Sequence, residues 1–414
     1  MKRQHVLITL ILALLVCAIA SQALASSFLP PFMRDEEETV TITKEEYESL
    51  RRYEKLDVLL GLVEMYYYKE EDIDVDAMIE KAAVGLMAGL GDIYTQYYPA
   101  EDMAEIVEET EGEYAGIGCQ LLADPTDALI TVTRVFKGSP AEKVGVRSGD
   151  KIIYVDDVYY TAYEMNEAVD IMRGEPGGTV KVTVMRGLET IDFDIVREVV
   201  NINYAEYEIL EGNIGYVMVY DFLGNAYEVF AEAIAAFEEA QVSGMIIDLR
   251  DNGGGLVNVC VDMADLILSE GTVVTMRDKY DVVEEYKCDS RYFDVPMVVL
   301  VNGYSASASE ILAGAIRDRG AGKLVGTKTF GKGIVQSELM FKDGSGVHIT
   351  TAYYFTPNGE CIHGVGFEPD IEVELDKEAV TLYGLNNLPH EQDAQLQKAL
   401  EVLKEEIAAK ASID

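Results

Sequence analysis

Basic residues are scarce in this 414-residue chain: 33 Lys and Arg stand against 74 Asp and Glu, a formal charge of −41. Nothing in such a balance offsets repulsion from phosphates, which excludes a nucleic-acid binder. The acidity itself reads as a solvated surface rather than an attraction for cationic substrates. Histidine is scarcer, with four in the whole chain. His5 falls in the leading segment, His390 near the tail, and His348 and His363 in strand-like or loop segments without a recognisable motif. A Ser-His-Asp arrangement therefore has no obvious base, and no GNSGG-like nucleophile loop is present. The five cysteines (Cys17, Cys119, Cys260, Cys288, Cys361) are scattered without a CxxC pair. Cys17 falls in the leading segment; the other four specify no disulfide and read as buried single residues.

What remains is an ordinary globular composition, 49% hydrophobic with 35 Gly and 10 Pro, long enough for two or three domains. Residues 1–25 carry Lys2 and Arg3, an apolar stretch of 15 residues from Val6 to Ala20, and an Ala23-Leu24-Ala25 cleavage pattern. That stretch is short of the ~20 residues of a spanning helix. The segment is read as a signal peptide, with a signal-anchor and membrane association as the alternative, and the protein is expected outside the cytoplasm.

Residues 35–112 turn helical in pattern. YESLRRYEKLDVLLGLVEMYYYKE repeats apolar residues at three- and four-residue spacing, DAMIEKAAVGLMAGL ends at Gly91, and AEDMAEIVEETEG ends at Gly112. The tyrosines here, Tyr94 among them, are assigned to packing. Such an arm is expected to dimerise, giving a homodimer.

Residues 113–198 change to short strands around two helical pieces. GSPAEKVGVRSGDKIIYVDD and the GIGC stretch resemble a PDZ domain of the circularly permuted kind found in bacterial periplasmic proteases. The resemblance implies that Gly116, Ile117 and Gly118 receive a peptide's C-terminal carboxylate on backbone N–H groups, beside a free strand edge. The partners so implied are protein or peptide substrates with free C-termini.

Residues 199–375 alternate strands and helices, which implies a sheet covered by helices. MIIDLRDNGGGL puts Gly253, Gly254 and Gly255 at the end of a buried strand. They match neither common phosphate-loop pattern and no basic residue follows, so an oxyanion donor is favoured over a nucleotide cradle. VNGYSASASE places three alternating serines where a strand feeds a helix start, where free N–H groups favour a developing oxyanion. Ser305 or Ser309 can be simple caps. With histidine missing, Lys332 in TFGKGIVQSE is the remaining base, and it must be desolvated to serve.

SASASEI, TFGKGIVQ, DLRDNGGG and TAYYFTPNGECIHGVGFEPD together resemble the C-terminal processing peptidases, serine/lysine proteases of the S41 type, over nearly the whole mature chain. The resemblance implies an α/β fold: a crotonase/Clp-like serine protease core with an inserted mainly-β PDZ domain, a helical N-terminal arm and a helical C-terminal segment at 376–414. It implies Ser307 as nucleophile, Lys332 as general base and Gln336 as the residue that orients the lysine. The oxyanion donors carried over are the backbone N–H groups of Ala308 and Gly253, although the family commonly has Pro at the latter position. Asp318, eleven residues after Ser307, is a further carboxylate able to act on the lysine. No metal or cofactor is implied. A straight strand would separate Lys332 and Gln336 by ~13 Å, so a bend at Gly333 is expected. The reading from another class is a secreted PDZ scaffold that binds C-termini without cutting them.

Overall fold

The computed structural model describes residues 41–124, 127–289, 291–385 and 388–412. The leading segment at 1–25 lies outside them. Two units are distinguished, residues 1–79 and 80–414.

The first unit contains α1 (Lys44–Leu50) and α2 (Glu54–Tyr66), and α3 (Val75–Ala88) begins in it. Thr43 caps α1: its hydroxyl accepts the Glu46 N–H at 3.1 Å and the Glu46 carboxylate accepts the Thr43 N–H at 2.7 Å. The pattern predicts one helix across Tyr47–Glu70, whereas a 3₁₀ turn at Arg51–Tyr53 divides it. Apolar spacing misses this because residues three apart share a face in both helix types. Leu56, Leu59, Leu62 and Met65 of α2 are exposed.

The second unit opens with β1 (Gln96–Tyr98) and α4 (Ala100–Glu111). A PDZ-like segment follows: β2 (Glu113–Gly116), β3 (Cys119–Ala123), β4 (Ile130–Val135), α5 (Pro140–Val144), β5 (Lys151–Val155), β6 (Val158–Tyr159), α6 (Met165–Met172), β7 (Thr179–Arg186), β8 (Glu189–Val196) and β9 (Glu198–Asn201). Its sheet runs β3-β4-β5-β7-β8 with β6 on β5, while β2 pairs with β9 and draws the two ends together. Val132, Ile152, Val182 and Ile195 bury against Ala141, Ala168 and Met172 in a core of their own. β3 is an edge strand, with one side unpaired.

The remainder comprises β10 (Ala205–Leu210), β11 (Ile214–Val219), α7 (Ala226–Ala240), β12 (Gly244–Asp248), α8 (Val257–Ile267), β13 (Gly271–Asp278), β14 (Val283–Cys288), β15 (Met297–Val301), α9 (Ala308–Asp318), β16 (Gly322–Gly326), β17 (Ile334–Met340), β18 (Gly346–Phe355), β19 (Ile371–Glu372), α10 (Lys377–Tyr383) and α11 (Ala394–Ala411). The central sheet has the order β10-β11-β12-β15-β16-β19, parallel from β11 to β19. The central strands β11, β12 and β15 are buried on both faces, as parallel strands covered by helices must be. Met245, Ile247, Val299 and Val301 pack with residues of α7, α8 and α9 on one side. Their neighbours Ile246, Val298 and Leu300 pack against Leu396, Val402 and Leu403 of α11 on the other. A second sheet joins β1, β18, β13 and β14, with β17 on β18.

β12 and β15 are adjacent and parallel, so their carboxyl ends deliver the DNGGG loop and the serine turn to the same rim. Open α/β sheets bind ligands at such places. Cys260 and Cys288 are buried as expected, but Cys361 is exposed, in the loop after β18. A loop position carries no burial signal that a single cysteine could reveal.

Candidate active site

The alternating serines divide by hydrogen bonding. Ser305 is buried; its hydroxyl donates to the Leu249 carbonyl at 2.7 Å and accepts the Asn302 N–H at 2.9 Å. Ser309, also buried, donates to the Asn252 carbonyl at 2.9 Å. Both therefore staple the serine turn to the loop after β12. Ser307 is half-buried, and its hydroxyl donates to no acceptor among the described residues. Its backbone is strained, at φ 56° and ψ −117° for a non-glycine residue directly ahead of α9. Such strain is held only where surrounding bonds over-determine it, and it recurs where a nucleophile is presented on a sharp turn between strand and helix.

The glycine loop is held as firmly. Arg250 is buried and ion-paired with Asp248 at 2.5 Å and Asp393 at 2.8 Å, which ties the loop's start to the N-terminus of α11. Asn252 donates its side-chain amide to the Val219 carbonyl, and its carbonyl receives the Ala306 N–H at 3.0 Å. Gly254 approaches Ser307 most closely: at φ 116°, a Cβ there would stand 2.7 Å from the Ser307 Cβ and 3.1 Å from the Ala308 N. Its own N–H is engaged by the Asn252 side chain at 2.8 Å. Nothing lies within 4 Å of a Cβ built on Gly253, a position open enough for the proline common there. The Gly253 and Ala308 N–H groups have no hydrogen-bond acceptor among the described residues.

Glu310, fully buried on the first turn of α9, links the two halves of the site. Its carboxylate accepts the Ser307 N–H at 3.1 Å, the Thr329 hydroxyl at 2.6 Å, the Gly331 N–H at 2.8 Å and the Lys332 N–H at 2.9 Å. Burial raises its pKa against these four donors. The sequence reading passed over Glu310, yet the spacing S-x-x-E of a capping box marks it three residues after Ser307.

Lys332 lies just before β17 and not within it. The glycines on either side allow close packing; a Cβ on Gly333 would meet the His363 N at 2.5 Å. A bend is expected at Gly333; the irregularity present is a register shift of β17 on β18 between Val335 and Gln336. Burial lowers the Lys332 pKa from its ordinary value, with the Asp92 carboxylate acting in the opposite direction. Nζ rests 4.8 Å from the centroid of the Tyr94 ring. Among the described residues no hydrogen bond joins Nζ to Ser307 or to Gln336, whose side-chain amide donates instead to Thr350 Oγ1 at 3.3 Å. Asp318 is turned away, paired with Arg317 at 2.7 Å and accepting the Asn358 N–H.

In the PDZ-like segment Gly116, Ile117 and Gly118 are buried. The Ile117 and Gly118 carbonyls accept from Ala141 and Phe136, which fixes the loop through its acceptors. The Tyr114 ring lies over Gly116, where a Cβ would come within 2.8 Å of it; burial raises the phenol's pKa, with the nearby Gly118 and Cys119 amides acting in the opposite direction. A cleft of about 710 Å³ extends from Ile117, Phe136 and Val169 to Tyr220, Asp221 and Asp251 at the edge of the glycine loop. Burial, reinforced by Glu109 and opposed by Arg134, pushes the Asp221 carboxyl up to about 7. Arg134 spans the cleft, donating to the Asn203 carbonyl at 2.5 Å with its guanidinium 3.3 Å from the Tyr220 ring centroid.

Comparisons with known proteins agree with this architecture. A family model described as Peptidase family S41 matches residues 213–373, and one described as PDZ domain matches residues 131–186. The chain is 32% identical over 340 residues to a probable CtpA-like serine protease of Staphylococcus epidermidis, covering 81% of this chain and 68% of that one. It is 35% identical over 313 residues to a carboxy-terminal-processing protease of Bartonella bacilliformis, covering 73% and 70% respectively. Among solved structures, a photosystem II D1 C-terminal processing protease aligns with a TM-score of 0.52 at 30% identity, over 84% of this chain and 99% of that one.

Proposed function

Because the chain belongs to peptidase family S41 and is a serine protease carrying a PDZ domain, we propose that Ser307 and Lys332 carry its chemistry and that substrates are engaged through their C-termini. Neutral Lys332 takes the Ser307 proton as the hydroxyl oxygen attacks a peptide carbonyl. The Ala308 and Gly253 N–H groups receive the oxyanion. The lysine ammonium then protonates the leaving amine, and water, deprotonated by the same lysine, releases the acyl group. Gln336 orients the amine once it has turned toward Ser307.

The observation that supports this reading is the Glu310 carboxylate, which accepts the backbone N–H of both Ser307 and Lys332. Nucleophile and base are thereby suspended from one buried group. The test is cleavage of an unfolded protein such as casein by Ser307→Ala and Lys332→Arg. Both should be inactive, since arginine keeps its proton at ordinary pH. Activity in Lys332→Arg would remove lysine from the mechanism.

The protein acts outside the cytoplasm, with residues 1–25 as its export signal or anchor. Among the described residues no helix is long and apolar enough to cross a membrane. The exposed apolar stripe of α2 pairs two copies into a homodimer. Light scattering of Leu59→Asp/Leu62→Asp against the parent checks this, and an unchanged mass would overturn it.

A further inference from the structure

Lys332 has a neighbour outside the motifs that drew attention to it. Tyr94 belongs to a turn, Asp92 to Thr95, held in place by its own bonds: Asp92 accepts the Tyr94 N–H at 3.0 Å and the Thr95 hydroxyl at 2.8 Å. The Thr95 oxygen in turn accepts the Thr350 N–H of β18 at 3.0 Å. Thr350 is also where the Gln336 side chain is bound. One patch of the second sheet therefore holds an aromatic face, a carboxylate and the displaced Gln336 side by side. The Lys332 Nζ rests over the ring at 4.8 Å, within the range of a cation on an aromatic face.

We propose that the Asp92–Tyr94 turn is a holding site for the protonated Lys332 side chain, keeping the ammonium off Ser307 until it gives up its proton. The proposal rests on Lys332 being the general base. A ring face and a carboxylate attract a cation and have little hold on a neutral amine. Loss of the proton therefore abolishes both attractions at once and frees the amine to swing toward the nucleophile. Tyr94 and Asp92 are positioning residues: they act through Lys332 and set the pH at which the enzyme turns on. The other charged or titratable groups facing this region are Glu310, which accepts the Lys332 N–H, and His363, whose backbone packs against Gly333 and whose charge acts on Asp92.

The test is the pH dependence of kcat/KM for a fluorogenic peptide, measured on the full chain and on Asp92→Asn, Tyr94→Leu and Tyr94→Phe. Activity rises with pH as Lys332 becomes neutral. Removing a group that stabilises the cation moves the midpoint of that rise to lower pH. Asp92→Asn and Tyr94→Leu are each expected to shift it down by about half a unit to one unit. Below the parent midpoint they then work about three- to tenfold faster, a gain that a merely structural role would not give. Tyr94→Phe, which keeps the face, should restore the parent midpoint. Should one variant melt below the assay temperature, the other decides. An unchanged midpoint, or lower activity at every pH, overturns the holding site while Lys332→Ala remains inactive. If Lys332→Ala is active, it is the assignment of the base that has failed.

Discussion

Two glycine loops in this protein can offer backbone N–H groups to an anion, and they are built in opposite ways. The loop at 251–255 is fastened from every side: by Asn252 to Val219, by Ser305 and Ser309 across to the serine turn, and by Arg250 to α11. At its centre the loop at 116–119 is held through the Ile117 and Gly118 carbonyls, and it opens onto β3, an edge strand among the described residues. On the roles proposed for these loops, a cradle needed at every turnover is completed by the fold itself. One that waits for a peptide leaves an edge to be completed by the ligand.

The fastened loop is broken most severely through the residues it serves. Ser307→Ala should lower kcat by about 10³-fold or more with the melting temperature unchanged, and Lys332→Arg by a similar factor. Glu310→Gln comes next. The side chain keeps its shape, but its amide end presents hydrogens to donors that need an acceptor. Misplacement of nucleophile and base by a fraction of an ångström is expected to lower kcat by about 10²-fold while KM changes little. A kcat within twofold of the parent would show that Glu310 does not position them.

Ser305→Ala and Ser309→Ala sharpen the comparison further. Each removes one hydrogen bond to a buried carbonyl that keeps a backbone donor, the Asn252 N–H on Leu249 and the Ala306 N–H on Asn252, and should cost about 1 kcal/mol in urea denaturation. Each should retain much of its activity, unlike Ser307→Ala. If either is as inactive as Ser307→Ala at full stability, the choice among the three serines is wrong.

The parts of the site legible in the sequence were those written in contiguous motifs. The serine turn and the DNGGG loop each follow a buried apolar strand, which a short apolar run bounded by turn residues marks, and FGKG lies between β16 and β17. Choosing Ser307 among three serines came from family resemblance; the hydrogen bonds of Ser305 and Ser309 that separate them physically span 56 and 57 residues of sequence. Glu310 lay within a visible capping spacing, but a cap and a hub linking two loops look alike until Thr329, Gly331 and Lys332 are folded onto it. Tyr94 was invisible as a neighbour of Lys332, because its turn precedes the PDZ-like segment and is brought to the core by β1 pairing with β18. The 3₁₀ turn at Arg51–Tyr53 was hidden for a local reason: it keeps the same apolar spacing.

The smallest expected effect belongs to the open loop. A peptide with a free, apolar C-terminus should be cleaved, or should stimulate cleavage, severalfold better than the same peptide amidated, because amidation removes the charge that the backbone amides of the Gly116–Gly118 loop would receive and little else. A bulky residue at Gly118 is a poor probe of this. That position has φ 85°, and a Cβ would stand 2.3 Å from the Ser139 Cβ, so the variant would damage the segment's fold rather than its cradle. Tyr114→Phe is cleaner. The Tyr114 phenol lies close enough to the Gly118 and Cys119 amides for them to act on its pKa, so it competes for them, and removing one oxygen leaves the ring over Gly116 and beneath Arg173. With its internal competitor gone, the cradle should bind the free-acid peptide more tightly, by about three- to tenfold for one exchanged hydrogen bond. The amidated peptide should gain much less. Fluorescence polarisation with both peptides on Ser307→Ala and Ser307→Ala/Tyr114→Phe measures this without turnover. Equal gains for acid and amide would mean that these amides do not read the carboxylate.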